Sequence, residues 1–111
     1  MQYEPNEDAR TLTKTHLPAA NTPAVCTVAA EASQMWSLCK ITGQLYGTLA
    51  ANAVLTIAVN GAVIWTITRT AVGAFDYDFP FGIPTGYNQA LVVTLAAGGA
   101  SCTGELNIQY K

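Results

Sequence analysis

Few side chains in this sequence are of a type that could perform catalysis. His16 is the sole histidine, so a histidine-based triad or metal cluster would depend on one residue near the N-terminus. Paired with a cysteine, it would have to generate a thiolate, and no cysteine lies in a clearly basic stretch. The sequence therefore predicts no catalytic residue and no enzymatic activity.

The three cysteines have no metal-site spacing and cannot all pair with one another. We predict that Cys26, Cys39 and Cys102 are free thiols in the interior. A disulfide between Cys26 and Cys39 stays open, provided that their strands are neighbours.

Asp76 and Asp78 lie two residues apart on a predicted strand, so both carboxylates project from one face. They resemble oxygen ligands for calcium or a pair of glycosidase acids. Two carboxylates are too few for a calcium site, and neither an aromatic cleft nor a third polar partner accompanies them. Gly98-Gly99 lacks the lysine and the following helix of a phosphate loop. We interpret the aspartates as a solvated strand face and predict neither metal nor cofactor.

Aromatic side chains offer one further kind of site, a platform on which a sugar ring stacks. The candidates are Trp36, Tyr46, Trp65 and Tyr87. Trp65 is at an inward-facing position of its strand. We therefore favour a place in the core for Trp65 over a role in sugar stacking.

Composition restricts the partners of the chain. Its 111 residues suit one domain, 50% of them are hydrophobic, and only 11% are charged, where about a quarter is usual. Such weakly charged surfaces tend to be covered, often by another copy of the chain. The net charge of -2, with five basic residues, argues against nucleic acid. No apolar run approaches the roughly 20 residues that cross a bilayer, so no membrane partner is expected.

A hairpin over residues 54–68 is the element around which the chain is organised. Asn60-Gly61 between two β-branched runs is a strong hairpin signal. With a three-residue loop of residues 59–61, Leu55 lies opposite Trp65 and Ile57 opposite Val63, which separates an apolar face from a mixed one. We therefore predict this loop, with Gly61 in the left-handed conformation.

The remaining pattern predicts about eight short strands and no helix, hence an all-β, two-sheet sandwich, most simply an eight-stranded jelly roll. A different Greek-key sandwich is the alternative. A bulge near Cys39-Lys40 would reconcile the two parities of the third strand, and residues 80–89 are expected to form an irregular loop. The predicted core consists of Leu55, Ile57, Trp65, Phe75, Tyr77, Val93, Leu95 and Ile108.

The first fourteen residues differ from the rest, because five of the twelve charged residues lie there. We predict an N-terminal arm over residues 1–14, followed by a β-sandwich domain over residues 15–111; a short first strand near residues 11–17 is also indicated. We expect such an arm to engage a partner, and a merely frayed terminus is the equal alternative. The candidate contact residues of the arm are Tyr3, Glu4, Glu7, Asp8, Arg10, Leu12 and Lys14.

Several stretches between residues 16 and 110 resemble small tailed-phage virion proteins, including capsid decoration (cement) proteins. They are His16-Leu17-Pro18-Ala19-Ala20, the hairpin around Gly61, Pro80-Phe81-Gly82-Ile83-Pro84-Thr85-Gly86, Ala90-Leu91-Val92-Val93-Thr94-Leu95, and Gly104-Glu105-Leu106-Asn107-Ile108-Gln109-Tyr110. The resemblance implies a jelly roll or related sandwich, often trimeric, that binds the major capsid protein and reinforces the shell. It also implies assembly in the host cytoplasm and a final location on the capsid surface.

Two functions follow from these observations. The first is a structural virion protein that decorates and stabilises the outer surface of a phage capsid, as a homotrimer. The alternative is a glycan- or receptor-binding module of a phage fibre or adhesin. In that case Phe81, Ile83 and Tyr87, on the predicted loop, form the candidate ligand site.

Overall fold

The computed structural model describes residues 11–111, which form eight strands and no helix. The strands are β1 (Leu12–His16), β2 (Ala24–Val28), β3 (Ser37–Gly47), β4 (Ala53–Val59), β5 (Ala62–Arg69), β6 (Gly73–Pro84), β7 (Leu91–Leu95) and β8 (Cys102–Tyr110). No helix in residues 11–111 has the length and apolar character needed to cross a membrane.

The strands form two antiparallel four-stranded sheets that pack as a sandwich. Sheet 1 has the order β1-β8-β3-β6 and sheet 2 the order β2-β7-β4-β5. Every neighbouring pair is antiparallel, and the chain passes repeatedly from one sheet to the other, which is the arrangement of an eight-stranded jelly roll. The predicted fold class is confirmed.

Large apolar residues at every second position explain why these segments are strands with one buried face. β7 buries Leu91, Val93 and Leu95 and leaves the residues between them half-exposed. β8 repeats the pattern with Leu106, Ile108 and Tyr110. Because side chains of a strand point alternately to opposite faces, the apolar sets of the two sheets meet in one core.

Six of the eight predicted core residues are buried. Trp65 and Tyr77 are half-buried and pack against the edge of the core. Their rings meet edge to face with centroids 5.5 Å apart, beside an equally close contact between Trp65 and Phe79. Arg69 extends over the Phe75 ring and donates a hydrogen bond to the Tyr77 hydroxyl at 2.9 Å. These contacts close the side of the sandwich where β5 lies over β6.

The predicted register of the central hairpin was wrong. The loop has two residues, Asn60 and Gly61, with φ angles of 52° and 84°, and Val59 pairs with Ala62. An irregularity then shifts the register, so Ile57 pairs with Trp65 and Ala58 with Val63. The extra residue lies in the strand as a bulge instead of in the loop. Leu55, Ile57 and Trp65 still face the core, Gly61 has the predicted left-handed conformation, and Val63 is exposed.

The bulge predicted in the third strand is confirmed, since the pairing of β3 with both neighbours shifts between Leu38 and Lys40. The irregular loop predicted over residues 80–89 was wrong in its first half, because β6 continues to Pro84. β6 is an edge strand that pairs only with β3, so Pro80 and Pro84 remove no hydrogen bond from a second neighbour.

The predicted boundary of the arm at residue 14 falls inside β1. Leu12, Thr13 and Lys14 pair with Tyr110, Gln109 and Ile108 of β8. Backbone pairing to a central strand therefore makes residues 12–14 part of sheet 1. Tyr3, Glu4, Glu7, Asp8 and Arg10 of the predicted arm lie outside the described residues.

Candidate functional site

The outer face of sheet 1, which we call the polar face, carries almost only polar side chains. Cross-strand pairing aligns them in rows, for example Thr15, Asn107, Thr42 and Asp76. Its polar members are Thr13, Thr15, Lys40, Thr42, Gln44, Tyr46, Asp76, Asp78, Thr103, Glu105, Asn107 and Gln109.

One lysine lies between the two aspartates of this face. Lys40 Nζ is 3.5 Å from a carboxylate oxygen of Asp76 and 3.5 Å from one of Asp78. Both aspartates are exposed, as expected for a solvated strand face. No group of three or more histidine, cysteine or acidic side chains among residues 11–111 is placed to hold a metal ion.

A groove of about 420 Å³ lies on the polar face, across β6, β3 and β8. Asp76, Thr42, Gln44, Glu105 and Asn107 line it with polar atoms, while Gly43, Ala74 and Phe75 form its apolar part. None of the hydrogen bonds within residues 11–111 involves the side chains of Thr42, Gln44 or Asn107. These groups are therefore free to bind water or a ligand.

Tyr46 lies next to this groove on β3 and is held by a short hydrogen bond. Its hydroxyl donates to Glu105 Oε1 at 2.6 Å, although the Tyr46 side chain is exposed. The hydrogen bond to Glu105 raises the pKa of Tyr46 above its usual value, and desolvation and the charge of Glu105 act in the same direction. The ring is thus fixed across β3 and β8, with its phenol protonated.

The outer face of sheet 2, which we call the uncharged face, has the opposite chemistry. Pairing aligns Val25, Thr94, Thr56 and Thr66 in one row. The whole face consists of Val25, Thr27, Val54, Thr56, Ala58, Val63, Thr66, Thr68, Val92 and Thr94. Of the described residues, none on this face carries a charge. Ile64, at the bulge of edge strand β5, is also exposed.

The predicted ligand loop does not form one compact set of side chains. Phe81 is 100% exposed and Tyr87 is exposed as well, whereas Ile83 packs against the core. Phe81 borders a second groove of about 520 Å³, together with Thr11 and Lys111 among other residues, and neither Ile83 nor Tyr87 lines it. Of the three residues of the predicted ligand loop, two are exposed aromatic rings and Ile83 is part of the packing against the core.

Trp36, another aromatic candidate, is also mainly structural. Its ring meets Tyr110 edge to face at 5.6 Å, and Nε1 donates a hydrogen bond to the Ala29 carbonyl at 3.2 Å. Because Trp36 and Trp65 are engaged in these packing contacts, the exposed aromatic candidates for ligand contact are Tyr46, Phe81 and Tyr87.

The histidine has a structural role, and the three cysteines are free thiols. His16 Nδ1 accepts a hydrogen bond from the Val25 backbone N–H at 2.9 Å, which ties β1 to β2. Burial raises the pKa of the Cys26 thiol to about 11, against a smaller lowering by Lys14, so Cys26 is a poor nucleophile at neutral pH. All three cysteines are free, so the Cys26–Cys39 disulfide left open by the sequence is absent; Cys39 is only half-buried.

The arm residues that the structure describes lie on β1, at an edge of sheet 1. Leu12 and Lys14 are both exposed there. They are therefore accessible, and they are positioned by the sheet instead of by a separate arm.

Comparison with known proteins gave no family model and no curated protein that matches the chain. Two of the solved structures that align with it are a mannanase and a carbohydrate-binding module. A ruminal GH26 endo-β-1,4-mannanase aligns with 85% of this chain at 18% identity and a TM-score of 0.46, and the chain spans only 18% of that enzyme. The carbohydrate-binding module CBM36, solved with calcium and xylotriose, aligns over 87% of this chain and 76% of its own length, at 11% identity and a TM-score of 0.43.

Proposed function

We propose that this chain is a structural virion protein that decorates and stabilises the outer surface of a phage capsid. The uncharged face of sheet 2 is the observation that carries the proposal. It spans four strands and consists of valine, threonine and alanine side chains. In this proposal it is the surface that binds the major capsid protein.

The distribution of charge supports this choice of surface. Residues 11–111 contain eight charged side chains; Lys40, Asp76, Asp78 and Glu105 lie on the polar face and none on the uncharged face. An uncharged face loses water without the cost of desolvating an ion, and each buried apolar Å² contributes about 25 cal/mol.

The area of a standard protein interface can be compared with the accessible surface of this chain. A standard protein interface covers about 800 Å² on each partner. The accessible surface of the chain is 5974 Å². A contact of standard size would therefore occupy roughly an eighth of that surface. Many copies bound in this way would tie neighbouring capsid subunits together.

We further propose that the chain is a homotrimer. Edge strand β5 exposes Val63 and Ile64, and no second strand of the described chain pairs with its outer side. Free strand edges with apolar side chains tend to be covered by another chain. A three-fold assembly would match the local three-fold axes of a capsid shell.

A matched pair of variants tests the capsid contact. Thr94→Lys places a charge in the middle of the uncharged face, and Thr15→Lys makes the same change on the polar face. Each tagged protein is added to purified particles that lack the chain, and bound copies are counted by quantitative mass spectrometry. We expect hundreds of copies for the wild type and for Thr15→Lys. Thr94→Lys should bind at least tenfold more weakly, because the lysine would be buried without a partner.

Thermal unfolding of both variants should show that each is folded. Equal binding of the two variants would assign the capsid contact to another surface. A handful of wild-type copies per particle would instead favour the fibre or adhesin module, for which the exposed rings of Phe81 and Tyr87 are the supporting observation.

A further inference from the structure

We infer that the groove on the polar face is a binding site for a neutral carbohydrate chain. This inference goes beyond capsid decoration and concerns the opposite side of the sandwich. It also differs from the ligand loop that the sequence indicated, because neither Phe81, Ile83 nor Tyr87 lines this groove.

The groove is a shallow depression of about 420 Å³ that is largely open to solvent, so a ligand would lie along it instead of being enclosed. Its polar side chains come from the middle of three adjacent strands, so their backbone positions are fixed by the sheet. Sites built on strands hold their geometry better than sites on loops.

The polar groups in the groove match those of a sugar. A sugar hydroxyl both donates and accepts hydrogen bonds, and the amides of Gln44 and Asn107 can do the same. Both amides, like the hydroxyl of Thr42, have no hydrogen-bond partner within the described residues. Asp76 and Glu105 add carboxylate oxygens that accept from hydroxyl groups. The amides and the hydroxyl thus supply donors and acceptors without a partner in the chain, while Asp76 also contacts Lys40 and Glu105 also accepts from Tyr46.

Charge excludes phosphate-bearing and acidic ligands. The polar face carries three carboxylates, those of Asp76, Asp78 and Glu105, and only one cation, Lys40, which already contacts both aspartates. A phosphate or uronate would meet net negative charge and lose the hydration that it has in water. A neutral polyhydroxylated chain suffers no such repulsion.

Tyr46 supplies the apolar contact that a pyranose ring needs. It lies two residues from Gln44 on the same face of β3, and its ring is exposed. The hydrogen bond to Glu105 fixes the ring, so little side-chain entropy is lost when a sugar stacks on it. Ala74, opposite Gln44, is small and leaves room for the chain to continue towards β6.

Affinity electrophoresis of the full chain tests this inference. The probes are soluble galactomannan, arabinoxylan, mixed-linkage β-glucan and dextran, with polygalacturonate as an acidic probe. We expect at least one neutral polysaccharide to retard the protein and polygalacturonate to have no effect. Gln44→Ala, Asn107→Ala and Tyr46→Ala should each weaken that retardation at least tenfold.

The control variant is Gln109→Ala, which removes the same amide as Gln44→Ala from the polar face outside the groove. It should bind like the wild type, and thermal unfolding should show that every variant is folded. No retardation by any neutral probe, retardation by polygalacturonate alone, or equal losses for Gln44→Ala and Gln109→Ala would each overturn the inference. Thr94→Lys should keep sugar binding, so failure of the decoration proposal would be seen separately.

Discussion

The two outer faces of this sandwich have the same architecture and opposite chemistry. Each is the solvent side of a four-stranded antiparallel sheet whose other side is packed in the common core. The polar face carries half of the charged side chains of residues 11–111, and the uncharged face carries none. Folding explains only the inner sides, since both sheets need an apolar inner set. The difference between the outer faces is therefore not explained by the packing of the core, and our two proposals assign a different contact to each face.

The contrast is visible within single pairs of neighbouring residues. On β8, Leu106 is fully buried while Asn107 faces the groove. On β7, Val93 is fully buried while Thr94 belongs to the uncharged face. One step along the strand changes a side chain from fully buried to partly exposed, so a substitution on the inner side tests stability and one on the outer side tests surface contacts.

The largest expected effect comes from the inner side. Leu106→Ala should lower the free energy of unfolding by about 2–5 kcal/mol, because it leaves a cavity in a fully packed core. Asn107→Ala should change it by no more than about 0.5 kcal/mol. Urea unfolding measures both. A large loss for Asn107→Ala would mean that the polar face is built for stability instead of binding.

The next effect concerns the edge of sheet 2. Light scattering at micromolar concentration should give a mass of three times 11.7 kDa for the wild type. Ile64→Lys should return it to the monomer, since a charge on the exposed edge of β5 opposes association. Val72→Lys, which changes an exposed apolar residue outside the strands, is the control and should stay trimeric. A wild-type mass of 11.7 kDa would rule out a preformed trimer and favour one that forms only on the capsid.

The smallest effect concerns the polar face. Lys40→Met should lower stability by at most about 1 kcal/mol, because its two ion pairs with Asp76 and Asp78 are largely solvent-exposed. The loss should shrink at 1 M salt, which screens exposed charges. Lys111→Met removes a lysine that has no ion pair within residues 11–111 and should leave stability unchanged. A loss that does not depend on salt would point to packing of the lysine stem.

Local pattern was enough to predict much of the fold. The inward sets of β2, β7 and β8 follow directly from period-two alternation, which the pleat of a strand imposes. The change of parity along β3 was enough to place its bulge at Cys39-Lys40. The positive φ of Gly61 follows from the Asn-Gly pair.

The hairpin register shows where this reasoning fails. The sequence requires one extra residue to bring Leu55, Ile57 and Trp65 onto one face, and we placed it in the loop. In the structure the loop keeps the two residues that Asn60-Gly61 favours, and the extra residue is in β5. Either position satisfies the alternation, so local pattern cannot choose between them. The length of β6 was misjudged for a related reason, since two prolines are compatible with a strand only at a sheet edge.

By itself, the sequence determined which side of each strand is buried, because apolar side chains must leave water whatever the order of the strands. Only the tertiary structure decided which strands are neighbours, and therefore which exposed side chains share a face. Any two of Gln44, Asp76 and Asn107 are more than thirty residues apart in the sequence, yet the three line one groove because β3 pairs with both β6 and β8. Strand pairing of this kind depends on long-range packing of the whole core, which no local window of the sequence contains.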